Sequence, residues 1–139
     1  MRRLRLEDEE LALVLAHEAA HVLAGHALQK PAFMTGFVGT QKVPTASLAL
    51  HEFFAQDAYA AAFRPQALLQ EREADRLGAA IFFAAGYDAR RALTLFDKLA
   101  RLESDADSLN TGSHDAAQVR KQAVAAALSA IRGTTEARR

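Results

Sequence analysis

Two histidines and a glutamate near the start of the chain have the types and spacing of a metal site. The run His17-Glu18-Ala19-Ala20-His21 is an H-E-x-x-H motif in a proline-free stretch dominated by alanine and leucine, which favours a helix. Residues four apart lie on nearly the same face of an α-helix, so both imidazoles can bind one zinc ion. Glu18 is then placed to take a proton from a water that the ion acidifies. This chemistry is metal-assisted hydrolysis, as of a peptide bond.

The motif is short, and the competing interpretation is two solvated histidines beside a surface glutamate. His17 and His21 share their side of the predicted helix with Leu13, Val14 and Ala24, which are expected to be buried. Buried imidazoles need hydrogen-bonding or metal partners. The context therefore favours a metal site.

Composition limits the class of protein. The chain has 139 residues, 50% of them hydrophobic, which is enough for one core, so we expect a single zincin-like domain at 1–132 and a disordered tail at 133–139. Basic and acidic residues number 17 each, so the composition gives no indication of nucleic acid or an anionic membrane surface as a partner. There is no cysteine, so any zinc ligands must be His, Asp or Glu.

Neither a signal peptide nor a membrane span is predicted in this chain. The basic start, Arg2 to Arg5, is followed at once by the acidic run 7–10 instead of an apolar segment. The longest apolar stretch, 48–63, is interrupted by His51, Glu52 and Asp57. We expect a soluble domain, cytoplasmic if the chain is complete and periplasmic if it has been trimmed from a longer one.

Hydrophobic periodicity, prolines and glycines predict a mainly α fold, a compact bundle of about five helices around the H-E-x-x-H helix. The predicted helices are 6–29, 47–63, 65–85, 88–102 and 115–131. At most a short strand is expected, near the N-terminus or within 31–46. The side chains expected to face the core from the first helix are Leu11, Val14, Leu15, Val22 and Leu23.

A catalytic zinc takes three protein ligands, and the segment 70–75 offers the third. Glu71 and Asp75 lie one turn apart on a face that also carries apolar residues, where two carboxylates require a cation or hydrogen-bond donors. Glu73 competes with Glu71 as the ligand, but it lies about 160° around the helix from Asp75 and is expected to face solvent. The alternative is a charged helix surface held by ion pairs.

Three blocks together resemble the gluzincin zinc metallopeptidases of family forty-eight, the HtpX and CaaX prenyl-protease group. The pattern of that family is H-E-x-x-H, then E-x-x-A-D, then H-P-x-x-x-x-R. Here the blocks are 17–21, 71–75, and His114 with Arg120, and the likeness extends from Glu10 to about Val124. Asp115 stands where the family has proline.

The resemblance implies one Zn²⁺ per chain, with ligands His17, His21 and Glu71. It implies Glu18 as general base and acid and Asp75 as the carboxylate that orients a zinc-bound histidine.

His114 is implied to lie near the metal, either stabilising the oxyanion or acting as a removable fourth ligand. The alternative for His114 is an ordinary histidine in a polar loop. Arg120 is expected to pair with a site carboxylate or to be solvated. His26, about 140° around a continuous helix from His21, is expected to make a structural hydrogen bond away from the metal.

Zincins bind substrate as an added strand on a sheet edge that precedes the metal helix, and this chain has almost nothing there. Such a sheet is therefore missing, supplied by a protein partner, or removed. The leading hypothesis is a zinc endopeptidase acting on peptides or unfolded protein. The alternatives are a catalytically silent zinc-binding module that recruits partners, and a helical domain without metal.

Overall fold

All regular secondary structure in the described part of the chain is helical. The structure, a computed structural model, describes residues 4–29, 57–105 and 115–137. The helices are α1 (Asp8–Leu23), α2 (Asp57–Ala84), α3 (Ala89–Ala92), α4 (Thr94–Asp105) and α5 (Ala117–Glu136), and residues 26–29 are also helical. The predicted mainly α class is confirmed. Residues 4–7 form no strand, and the strand considered within 31–46 lies outside the described ranges.

Helix α2 is continuous through Pro65, so the break predicted between 47–63 and 65–85 is wrong; residues 47–56 lie outside the described ranges. Proline inside a helix removes one backbone hydrogen bond and costs about 3 kcal/mol. Phe63 and Gln70 are buried on either side of Pro65, with 8% of each exposed. Packing on both sides of the proline therefore offsets the local cost.

Helix α1 ends at Leu23 instead of continuing to Gln29 as predicted. Gly25 adopts a left-handed backbone with a φ of 69°, and its N–H donates to the Val22 carbonyl at 3.1 Å. Glycine adopts this conformation without the strain that a Cβ would cause. Residues 26–29 therefore run in a new direction, and this direction determines where the His26 side chain lies.

The other helix ends also differ from the predicted ones. Asp88 accepts a hydrogen bond from the Arg90 N–H at 2.7 Å and caps α3 as predicted, but the chain breaks at Leu93 before α4. Helix α5 continues beyond 131, so residues 133–136 are helical instead of a disordered tail. The hydroxyls of Thr134 and Thr135 donate to carbonyls one turn back, at 2.9 Å each.

The core lies between α1, α2, α4 and α5, with Ala92 of the short helix α3 at its edge. Its buried cluster consists of Leu13, Ala16, Ala79, Phe82, Ala92, Leu95, Phe96, Val124 and Leu128. The prediction that Leu11, Leu15, Val22 and Leu23 face this core is wrong, since 46–77% of each is exposed; Val14 does pack against the cluster. The buried residues of α1 are Glu10, Leu13, Ala16 and Ala20, and the backbone at Ala16 and His17 lies against Gly78 of α2.

A buried acid joins the start of α1 to α4. Glu10 is fully buried, accepts hydrogen bonds from Lys98, from the Thr94 hydroxyl at 2.7 Å and from the Glu7 N–H at 2.8 Å, and closes a capping box. Burial raises the pKa of Glu10, but these bonds outweigh it and lower the pKa below its usual value. The acidic run 7–10 therefore does more than complement the helix dipole.

Among the described residues, no helix combines the length and apolar character needed to cross a membrane.

The crossing of α1 and α2 makes Gly78 sensitive to substitution. A Cβ at this position would lie 3.0 Å from the Cα and N of His17 and 3.3 Å from the carbonyl carbon of Ala16, all backbone atoms. We expect Gly78→Ala to lower the free energy of unfolding by about 1–3 kcal/mol through overpacking, measured by urea denaturation.

Gly133→Ala is the matched control, because a Cβ at Gly133 meets no atom within 4 Å and Gly133 lies within α5. There the change should stabilise by about 0.5–1 kcal/mol. Equal stabilisation by both alanines would contradict the close helix crossing.

Candidate metal centre

Three side chains from α1 and α2 bring potential metal ligands together. His17 and His21 lie one turn apart on α1, and Glu71 faces them from α2. The two Nε2 atoms are 3.1 Å apart. Glu71 Oε2 lies 3.4 Å from His17 Nε2, and Glu71 Oε1 lies 3.3 Å from His21 Nε2. The structure thus brings together the three residues that the sequence predicts as ligands.

The donor atoms of these three side chains lie close enough together to surround one zinc ion. Zinc binds imidazole nitrogen and carboxylate oxygen at about 2.0–2.2 Å, and the edges of such a tetrahedron are about 3.3–3.5 Å long. The 3.1 Å between the two Nε2 atoms is close to such an edge, and one ligand atom from each of His17, His21 and Glu71 lies within 4.8 Å of the others. Two histidines with one glutamate are also a donor set of catalytic zinc enzymes. The residues present therefore fit the metal.

An ion pair between Asp75 and Arg120 contacts His17 at Nδ1, the ring nitrogen on the side away from Glu71. His17 Nδ1 lies 3.0 Å from Asp75 Oδ1, and Arg120 binds both oxygens of Asp75, at 2.8 and 3.0 Å. Arg120 Nη2 is also 3.4 Å from His17 Nδ1. Because Nδ1–H donates to Asp75 and a guanidinium only donates, this last contact is not a hydrogen bond. Arg120 therefore acts by holding Asp75.

The surroundings of the two histidines shift their pKa values in opposite directions. Burial lowers the pKa of His17, but hydrogen bonds to Asp75 and Glu71 outweigh burial and raise it to about 9. For His21 burial is the largest cause, and its pKa is lowered. The pKa of Asp75 is lowered as well: burial raises it, but hydrogen bonds from His17 and Arg120 prevail. Without metal, His17 is therefore a cation at neutral pH and His21 is neutral.

Glu18 is exposed, next to His17, and lies at the wall of a cavity of about 210 Å³. His17, Asp75 and Arg120 line one part of this cavity, and much of the remaining wall is apolar, including Leu13, Phe96 and Leu99. The predicted base is thus open to solvent and borders a mainly apolar cavity that His17 also lines, whereas His21 and Glu71 are not among the residues of its wall.

Sequence reasoning missed the environment of His21. His26 is buried, with 4% exposed; its Nδ1 lies 2.9 Å from His21 Nδ1, and its Nε2 lies 3.3 Å from Glu73 Oε2. A hydrogen bond was predicted for His26, but away from the metal face, because the angle assumed one continuous helix. The left-handed Gly25 that ends α1 was the signal for the different direction.

Three further residues that the sequence analysis named are Glu73, His114 and Asp115. Glu73, the competing ligand, lies outside the His17–His21–Glu71 cluster, and 48% of its side chain is exposed. His114 lies outside the described residues, so its predicted place near the metal stays a prediction. Asp115, which replaces the proline of the resemblance, forms a bidentate pair with Arg72 at 2.7 and 3.0 Å.

The chain belongs to peptidase family M48, whose family profile matches residues 3–129. The resemblance inferred from the three sequence blocks is thereby confirmed. The chain is 30% identical over 125 residues to the mitochondrial metalloendopeptidase OMA1 of Arabidopsis thaliana, a match that covers 86% of this chain and 24% of OMA1. It thus spans about a quarter of the length of that relative. No solved structure matches the chain significantly.

The raised pKa of His17 predicts that zinc affinity depends on pH. A cationic imidazole cannot bind a metal, so binding must release the His17 proton wherever the pH is below its pKa of about 9. The zinc association constant should therefore rise about tenfold per pH unit between pH 6.5 and 8.5. Competition with a chromophoric chelator of known proton affinity measures this slope.

Asp75→Asn removes the carboxylate that stabilises the charged form of His17. The pKa of His17 should then fall and the slope should flatten above the new value. A slope that Asp75→Asn leaves unchanged would assign the released proton to another group.

Proposed function

We propose that this chain is the catalytic domain of a zinc-dependent endopeptidase, with residues 1–132 as a single domain that binds one Zn²⁺. The convergence of His17 Nε2, His21 Nε2 and the Glu71 carboxylate, with each Nε2 within 3.4 Å of a carboxylate oxygen, carries the proposal. Membership of peptidase family M48 supports it as well, since the family profile covers residues 3–129 and so includes all three side chains.

The residues of this chain divide the work of peptide hydrolysis. Bound zinc would supply a Lewis acid that polarises the scissile carbonyl and acidifies the attacking water. Glu18, exposed beside His17, would take the proton of that water and pass it to the leaving amine. His17, His21 and Glu71 would hold the metal through Nε2, Nε2 and a carboxylate oxygen.

Asp75 and Arg120 would act on hydrolysis through His17. Once His17 has lost its second proton, the Asp75 carboxylate would accept from the remaining Nδ1–H and leave the lone pair on Nε2, the atom near Glu71 and His21. Arg120 restrains Asp75 with two hydrogen bonds, and only 16% of its side chain is exposed. The pair would keep the ring orientation fixed before substrate arrives.

The substrate would be a peptide or an unfolded protein. The cavity that Glu18 and His17 line has largely apolar walls, which would suit an apolar side chain of such a substrate. For the predicted role of His114, as oxyanion donor or removable ligand, the resemblance is the support.

Replacing Glu18 separates a working peptidase from a silent zinc-binding module. Glu18→Gln keeps the size of the side chain but removes the base, so hydrolysis of casein should fall by at least about 100-fold while zinc stoichiometry stays at one per chain. His17→Ala should lose both the zinc and the activity. Fluorescent casein and elemental analysis of the same preparations provide the two measurements.

Glu9→Gln is the matched control on the same helix, because Glu9 pairs with Arg91 and not with the metal residues. It should leave both zinc content and hydrolysis unchanged. Equal activity in wild type and Glu18→Gln would end the peptidase proposal and leave a zinc-binding module.

A further inference from the structure

We propose that Glu73 and His26 form a positioning pair for His21, fixing the ring form in which its Nε2 can bind zinc. This inference rests on the proposed function, because it concerns the residues that support a proposed zinc ligand. The pair would serve His21 as Asp75 and Arg120 serve His17, and it lies on the other side of the site.

The hydrogen bonds are consistent with one assignment of the ring protons of His26 and His21. Glu73 as a carboxylate can only accept, so His26 Nε2–H must donate to it across 3.3 Å. The Nδ1 atoms of His26 and His21 are 2.9 Å apart and share a single proton. When neutral His26 donates from Nε2, its Nδ1 accepts, and His21 must donate from Nδ1. The Nε2 of His21 then carries the lone pair that a metal requires.

The opposite order would block the site. If His26 Nδ1 carried the shared proton, His21 Nδ1 would accept the hydrogen bond, and the single N–H proton of a neutral His21 ring would lie on Nε2. That N–H would face His17 Nε2, 3.1 Å away, and Glu71 Oε1, 3.3 Å away. Glu73 is the last member of this row of hydrogen bonds. By holding the proton of His26 on Nε2, its oxygen selects the form of His21 that has its proton on Nδ1 and a free lone pair on Nε2.

Burial and backbone geometry show that the arrangement is built into the fold. His26 is 4% exposed, and both its ring nitrogens have protein partners. It reaches His21 because Gly25, with its φ of 69°, ends α1 and redirects the chain. Gln29 then binds the same stretch to α2, its side-chain oxygen accepting from Gln66 at 3.1 Å and Gln70 at 3.0 Å.

The test measures the zinc affinity of wild type and of two pairs of variants by chelator competition at pH 7.5. The visible spectrum of the Co²⁺-substituted protein shows in addition whether the set of metal ligands has changed. His26→Leu removes the acceptor for His21 and should weaken zinc binding about 10–100-fold. His26→Asn places an amide oxygen near the position of Nδ1 and should restore most of the affinity. Glu73→Leu should weaken binding about tenfold, and Glu73→Gln, which keeps an acceptor oxygen, should remain within about threefold of wild type.

A matched control separates positioning from simple docking of the stretch 26–29. Gln29→Leu breaks the contact of that stretch with α2 without touching His21. It should lower the urea stability of the metal-free protein and leave zinc affinity at the wild-type value. If Gln29→Leu weakens zinc binding as much as His26→Leu does, the role of His26 is docking and the positioning proposal is overturned.

The failures of the two proposals are distinguishable. Wild-type protein that binds no zinc overturns the proposed function. Wild-type protein that binds zinc, with His26→Leu and Glu73→Leu equally tight, overturns the positioning pair alone. If His26→Leu does not fold, the two variants at the half-exposed Glu73 still test the proposal. The proposal requires that Glu73→Leu bind zinc more weakly than Glu73→Gln.

Discussion

The close crossing of α1 and α2 is the constraint on which the rest of the structure depends. Gly78 faces the backbone of His17 so closely that a Cβ would contact it at 3.0 Å. Ala74, fully buried, lies one turn before Gly78, and Glu71 lies two turns before it on the same face. The crossing thus sets how far Glu71 stands from the two histidines of α1. Wider packing, with a leucine in place of either small residue, would separate the ligand atoms beyond the reach of one ion.

Such a site places charged and polar groups where apolar ones would pack at lower cost. Asp75 is 7% exposed, and its charge is balanced by Arg120 and by the His17 cation that forms without metal. Each buried charge has a partner of opposite sign within hydrogen-bond distance, which is the condition for tolerating it. The apolar cluster around Phe82 and Phe96 lies behind this polar face and supplies the hydrophobic stabilisation that the face lacks.

The sequence predicted the parts of this site that depend on one helix at a time. Spacing of four within a helix placed His17 with His21, and Glu71 with Asp75, because both segments are regular helices. Prediction from the sequence failed where the course of the backbone, or a residue far away in the sequence, determines the position of a side chain. The break at Gly25 redirects His26, the packing around Pro65 keeps α2 continuous, and Lys98 allows Glu10 to be buried. Hydrophobicity also misplaced the core face of α1: Leu13, Ala16 and Ala20 are buried, whereas Leu11, Leu15, Val22 and Leu23 are exposed.

The segment Glu71-Arg72-Glu73-Ala74-Asp75 shows how one stretch of helix organises the whole centre. Each residue turns about 100° from the one before, so Glu71 and Asp75 point within about 40° of each other, towards the two histidines of α1. Glu73 points about 160° away from both and would face solvent if α1 ran straight. It reaches the site because the chain after Gly25 carries His26 to it, while Arg72 holds Asp115 at the start of α5. A shift of one residue in the register of α2 would therefore remove the third ligand and the outer partners of both histidines together.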